Sequence, residues 1–150
     1  ALDQHLPPGV NILRAKMVPQ GAEALNALIN RASYSVSCPL GQEVSEQELK
    51  KFCQELLQKD TIIIKKQTKK GVQEKDIRKG IFALDCALEE GQARLYCELM
   101  LGPKGSVRPE EVIRELVALG MPLTADYKSI RRTGLYCCRD NSCADPLQVL

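Results

Sequence analysis

The sequence predicts an α+β fold, with two amphipathic helices packed on one face of an antiparallel sheet and one β-hairpin to spare. Three observations carry that reading. Two segments place apolar residues at the i, i+3, i+4 spacing of a helix face: Leu49, Phe52, Cys53, Leu56 and Leu57 in one, Val112, Ile113, Leu116 and Val117 in the other. β-Branched or alternating segments lie before, between and after them, bounded by Gly, Pro or charged turns. From residue 32 onward, once the spare hairpin at 65–78 is set aside, the order is β-α-β-β-α-β, the pattern of a ferredoxin-like sandwich.

Each element has a local cause. Residues 1–6 read as a helix tail cut off by Pro7, Pro8 and Gly9, and 10–18 alternate loosely as a strand stopped by Pro19. A short helix follows over 22–30, with Leu25, Leu28 and Ile29 on one side. Residues 32–38 alternate Ala, Tyr, Val and Cys against Ser33, Ser35 and Ser37, a half-buried strand closed by Pro39 and Gly41. Ser45 with Glu48 forms a capping box at the start of the first long helix. Residues 61–68 are β-branched, turn at Lys69, Lys70 and Gly71, and return over 72–78, inserted beside the sheet or extending it. Segments 81–88 and 92–101 flank Glu89, Glu90 and Gly91 as a second hairpin. Pro109 opens the second long helix, Glu110 and Glu111 complement its dipole, and Gly120 stops it. A last strand is expected over 128–138, then a turn and a short edge.

At 150 residues the chain is about one domain. The division expected is 1–31 as the tail of a preceding unit and 32–150 as the α+β domain; the Ala1 start reads as a processed or truncated piece. Hydrophobic residues at 44% and charged residues at 27% exclude a disordered or fibrous chain. Aromatic residues make up only 4% and Trp is absent, so the core must be aliphatic. No apolar run spans a bilayer and the start lacks the basic and apolar regions of a signal peptide, so neither membrane insertion nor secretion is expected. Seven cysteines without a CxxC pair or a signal then imply reduced thiols and a cytoplasmic location. Cys53, Cys86 and Cys97 fall on apolar faces and are expected in the core.

Charge is segregated. Residues 59–80 carry eight basic side chains against three acidic ones, in a chain whose total is only +2. Lys65, Lys66, Lys69, Lys70, Lys75 and Arg78 on one hairpin suit contact with a nucleic-acid backbone, and Lys128, Arg131, Arg132 and Arg139 on the last strand extend the surface. The competing reading is a solvated edge hairpin, where Lys deters edge-to-edge pairing. Scarce aromatics (Tyr34, Tyr96, Tyr127, Tyr136, Phe52 and Phe82) favour backbone reading of RNA over base stacking.

Other chemistries find less support. Cys137, Cys138 and Cys143 resemble a partial metal set, but neighbours on a strand point to opposite faces, so only one of the pair can meet Cys143 across a turn. Isolated thiols are the expectation there, with a metal site or a redox pair as alternatives. The single histidine, His5, sits in the terminal segment away from any nucleophile. Asp85, the one carboxylate inside an apolar strand, is expected to face solvent. Gly102, Pro103, Lys104 and Gly105 precede a helix without P-loop spacing, so an ordinary loop is the expectation, with an anion site at the helix N-terminus as the alternative.

Four stretches, LPPGVNIL, TKKGVQEKDIR, SVRPEEVI and RRTGLY, occur in an order that resembles the bacterial radical-SAM-associated domain of unknown function 2344, in its C-terminal part only. The resemblance implies an accessory module fused to or encoded beside a radical-SAM protein. That partner would carry the iron–sulfur cluster and S-adenosylmethionine, and this chain no cofactor of its own. The family supplies no catalytic residue, and the cysteines after TGLY depart from its pattern. The resulting expectation is a non-enzymatic module that helps such an enzyme recognise a substrate, RNA being the candidate, through the basic hairpin at 65–78 and the last strand. Its alternatives are a protein-docking module without nucleic acid, and a fragment of an enzyme or metal-binding protein that uses the terminal cysteines.

Overall fold

The computed structural model describes residues 2–124, 129–140 and 142–149. A 3-10 turn (Leu2–His5) leads into a segment without regular secondary structure, then a single helical turn α1 (Leu25–Leu28) and strand β1 (Arg31–Pro39). Helix α2 (Glu46–Gln58), strands β2 (Ile63–Thr68) and β3 (Gly71–Asp76), and a 3-10 turn (Arg78–Gly80) follow. Strands β4 (Ile81–Glu89) and β5 (Gln92–Met100), helix α3 (Pro109–Ala118), strands β6 (Ser129–Arg139) and β7 (Ser142–Ala144), and a terminal turn α4 (Pro146–Val149) complete the order. The protein is a mixed α+β fold built on a five-stranded antiparallel sheet in the order β4-β5-β1-β6-β7.

The expected causes operate at the element ends. The Ser45 amide donates to Glu48 Oε2 at 2.9 Å while Ser45 Oγ accepts from the Glu48 amide at 3.3 Å, so two orphan donors of α2 are satisfied reciprocally. Glu90 at φ 50° and Gly91 at φ 72° supply the two left-handed residues of a tight hairpin between β4 and β5. Leu49, Cys53 and Leu56 of α2 and Val112, Ile113 and Leu116 of α3 are buried against the alternate residues Val36 and Cys38 of β1, Leu84 and Cys86 of β4, and Leu95, Cys97 and Leu99 of β5. No polar residue is buried in this core among the described residues. Asp85 is exposed, as its place in the strand alternation requires.

Three elements differ from the sequence reading. Residues 10–18 form no strand, because alternation describes the side chains and supplies no ladder. This arm is tied to the C-terminal end of the chain instead, through the Arg14–Asp145 ion pair at 3.3 Å and a bond from Lys16 Nζ to the Leu147 carbonyl at 3.0 Å. The spare hairpin is a separate two-stranded sheet rather than an extension of the main one. The third difference is a disulfide between Cys138 and Cys143, where the sequence leads one to expect isolated thiols. The tight β6–β7 reversal sets these two residues directly opposite each other in register, with Cα atoms 4.0 Å apart. Among the described residues no helix is long and apolar enough to cross a membrane.

Carboxylates at the element junctions tie stability to acid. Bonds from the amides of Ile62 and Arg78 hold the Asp76 carboxyl below its usual range, and Glu48 is lowered by Ser45 at the cap. Glu46 is lowered by Lys50 and by the Leu88 amide. Each group has a folded pKa depressed from its ordinary value of 3.8 (Asp76) or 4.5 (Glu46 and Glu48). Their contribution is therefore complete above the unfolded value and lost as pH falls through the folded one. The midpoint of thermal unfolding is expected to stay level down to about pH 5 and to fall steeply below about pH 4. Asp76→Ala should flatten that acid limb; an unchanged limb would assign it to other carboxylates.

Candidate nucleic-acid interface

The hairpin is built from its tip inward. Thr68 Oγ1 accepts from the Lys70 amide at 3.2 Å and donates to the Gly71 carbonyl at 2.9 Å, and Gly71 adopts φ 109° to return the chain. Lys69 and Lys70 thereby stand exposed at the turn. Behind them, register pairs Lys66 with Gln73 and Lys65 with Glu74, both lysines being exposed. None of the four makes an ion pair among the described residues.

The other two hairpin cations serve the fold. Lys75 bonds Glu111 Oε2 at 3.1 Å and the Ser106 carbonyl, pinning β3 to the start of α3. Arg78 turns inward. Its Nε donates to the carbonyls of Leu57 at 3.1 Å and Lys59 at 3.0 Å, its Nη2 to Leu57 at 2.7 Å, and its Nη1 to Ile81 at 3.1 Å. A guanidinium at the C-terminus of α2 satisfies carbonyls that have no intrahelical donor and complements the helix dipole. Both side chains are half-buried and engaged by these partners.

Arg131 and Arg132 belong to the main sheet, not to the hairpin. They sit on β6, three strands from β4 in the sheet order, at register positions facing Ser35 and Tyr34. Successive strand residues point to opposite faces, so the two do not share a surface either. Lys128 and Tyr127 lie outside the described residues. A groove of about 550 Å³ separates β2 from α3, and there Lys65, Lys66, Arg108 and Arg114 share space with Glu110, Glu111 and Glu115. The tip lysines Lys69 and Lys70 do not line that groove.

The cysteines do not converge on a ligand. Cys38, Cys53, Cys86, Cys97 and Cys137 are buried, and Cys138 and Cys143 are bonded to each other. Burial pushes the Cys38 thiol up to about 11 and the Cys97 thiol to about 12, and a bond to Cys86 together with burial raises Cys53. Thiolates, the form that attacks or ligates, are disfavoured at Cys38, Cys53 and Cys97. Among the described residues no three His, Cys, Asp or Glu side chains are grouped to hold a metal.

A family model described as an uncharacterized protein conserved in bacteria, DUF2344, matches residues 1–109. The chain belongs to this family. The DUF2344 match contains β1 to β5 and the whole basic hairpin, and it ends at the first residue of α3. The RRTGLY stretch with Arg131 and Arg132, and the three C-terminal cysteines, lie beyond it. Searches of curated proteins and of solved structures found no match.

Sequence reasoning missed the role of Asn30 in shaping this DUF2344 protein. Its amide donates to the Tyr136 carbonyl, its carbonyl accepts from the Leu101 amide, and its side chain bonds both the amide and the carbonyl of Cys138. One residue thus joins the strand β6 to the loop after β5. The only signal in the sequence is weak: an Asn at a strand entrance, where turn residues are common.

Proposed function

We propose that the chain is a non-enzymatic binding module with a ferredoxin-like core that contacts RNA phosphates through the tip of the β2–β3 hairpin. The strand order β4-β5-β1-β6, antiparallel throughout with α2 and α3 in the crossovers, supports the ferredoxin-like reading. The observation that carries the RNA reading is the exposed lysine set Lys65, Lys66, Lys69 and Lys70 on a two-stranded sheet outside the main one. A lysine ammonium is a point charge suited to phosphate and carries no base information, so the contact would position RNA without reading its sequence. The resemblance to a radical-SAM-associated domain makes a radical-SAM enzyme the proposed partner, with its iron–sulfur cluster and S-adenosylmethionine held there.

The test is fluorescence anisotropy with mixed tRNA at two salt concentrations. Binding is expected to weaken with salt, and Lys66→Glu/Lys69→Glu/Lys70→Glu should reduce affinity at low salt by at least about tenfold and flatten the log–log salt slope by about 2. All three side chains are exposed, so folding is expected to survive. Unchanged RNA binding in that variant overturns the hairpin as the contact. No binding by the parent chain at low salt shifts the reading to protein docking. One feature favours that second reading: the arm at 10–18 exposes Leu13 at 91% and Met17 at 95%, apolar surface that is costly in water.

A further inference from the structure

A cavity of about 530 Å³ opens at the end of the sheet where β1 begins and β5 and β6 finish, well within the size of small-molecule sites. The sequence singles out one wall of it, the loop Gly102, Pro103, Lys104 and Gly105, and the fold adds Arg31 and Arg139. Lys104 and Arg139 are exposed and make no ion pair among the described residues. Arg31 is more constrained: its Nη1 donates to Glu98 at 3.3 Å, its guanidinium lies 3.8 Å over the Phe82 ring, and its Nε is buried without an acceptor. A guanidinium held half-buried with donors unspent is a ready anion partner. Phe82 remains 41% exposed at the same wall, offering ring surface beside the cations. Two carboxylates, Glu23 and Asp140, line the cavity too and supply acceptors for hydroxyl groups.

The walls are fixed before any ligand arrives. Asn30 ties β6 to the Leu101 backbone, and the Cys138–Cys143 disulfide closes the β6–β7 reversal beside it. Preorganised walls spare a ligand the cost of ordering them.

We propose that this cavity binds a nucleoside-monophosphate-sized ligand, its phosphoryl group on Arg31, Lys104 and Arg139 and its hydroxyls on Glu23 and Asp140. The phosphoryl group can belong to a free nucleotide or to the 5′ end of an RNA strand, the same chemistry from two sources. The proposal is independent of the hairpin, which lies elsewhere in the fold.

The experiment is a titration of the isotope-labelled chain followed by NMR, with adenosine 5′-monophosphate and adenosine as probes. The monophosphate is expected to shift the resonances of Arg31, Lys104 and Arg139 and to bind at least about tenfold tighter than adenosine. Lys104→Gln/Arg139→Gln, both at exposed positions, should cost it about tenfold or more, whereas Lys66→Glu/Lys69→Glu/Lys70→Glu should leave it unchanged. A 5′-phosphorylated RNA dinucleotide that displaces the monophosphate identifies a strand end as the source; one that does not identifies the free nucleotide, and either supports phosphoryl recognition. The proposal is overturned by no binding at millimolar monophosphate, by equal binding of adenosine, or by full binding in the Lys104/Arg139 variant. Loss of RNA binding in the hairpin variant with monophosphate binding intact separates the two readings.

Discussion

Arg78→Met is expected to destabilise the protein by about 3 kcal/mol in urea unfolding, equivalent to a midpoint lowered by roughly 6–12 °C in a chain of this size. The methionine keeps most of the aliphatic stem, so the loss measures the donors. Three carbonyls, of Leu57, Lys59 and Ile81, accept from this one guanidinium, and two of them belong to the end of α2. A half-buried carbonyl stripped of its donor costs on the order of 1–3 kcal/mol, and bonds from a charged donor sit at the upper end of the usual range. Arg78→Lys keeps the charge but replaces the planar fork by a point donor that cannot reach carbonyls on both sides, so about half the loss should remain. A loss below about 1 kcal/mol for Arg78→Met would mean that water replaces the guanidinium at the helix end. The same variant guards the RNA experiment against misreading: lost RNA binding on removal of Arg78 would report a loosened hairpin base, whereas the tip lysines can be changed without touching the core.

That contrast explains which parts of the molecule were legible in the sequence. Both long helices were, because a capping box with a five-residue apolar stripe at α2 and Pro109 with a four-residue stripe at α3 are local facts, and the burial of Leu49, Cys53 and Leu56 follows from spacing alone. The β4–β5 hairpin was too, since Gly91 can adopt the left-handed conformation its turn needs. What failed to show was partnership. Arg78 and Lys75 share the hairpin with Lys69 and Lys70 and look equivalent in composition, yet Lys75 meets Glu111 across 36 residues of chain and Arg78 reaches back to Leu57 across 21. Residues 10–18 alternate like a strand, but a ladder needs a second edge, and the arm lies against the C-terminal segment through side chains. The disulfide was undecidable for a related reason: which of Cys137 and Cys138 faces Cys143 depends on the β6–β7 register. In the cavity, Phe82 lies under an Arg31 from a distant part of the chain, and only the strand order brings them together.

Gly102→Ala is the sharpest probe of whether the cavity is built or merely present. Gly102 has φ 148°, and a Cβ placed there would lie 2.6 Å from the carbonyl oxygen of Ile29, closer than real contacts of that kind occur. Since the obstacle is backbone, the loop itself must move, and it moves away from Asn30, whose carbonyl it bonds through the Leu101 amide. The expected cost is about 2–4 kcal/mol, from backbone strain together with the lost approach. Gly21→Ala is the control, because Gly21 has φ 87° with nothing within 4 Å of where the new methyl group would sit, so it carries strain without a collision. That strain alone should cost only about 1–2 kcal/mol. The excess at Gly102 therefore measures how firmly the 101–105 loop is held against the turn before β1. If the wall is rigid, adenosine 5′-monophosphate binding should fall along with stability, because Lys104 is displaced with the loop. Equal costs at the two glycines with monophosphate binding intact would mean that the loop yields freely, and preorganisation would then no longer account for a ligand in that cavity.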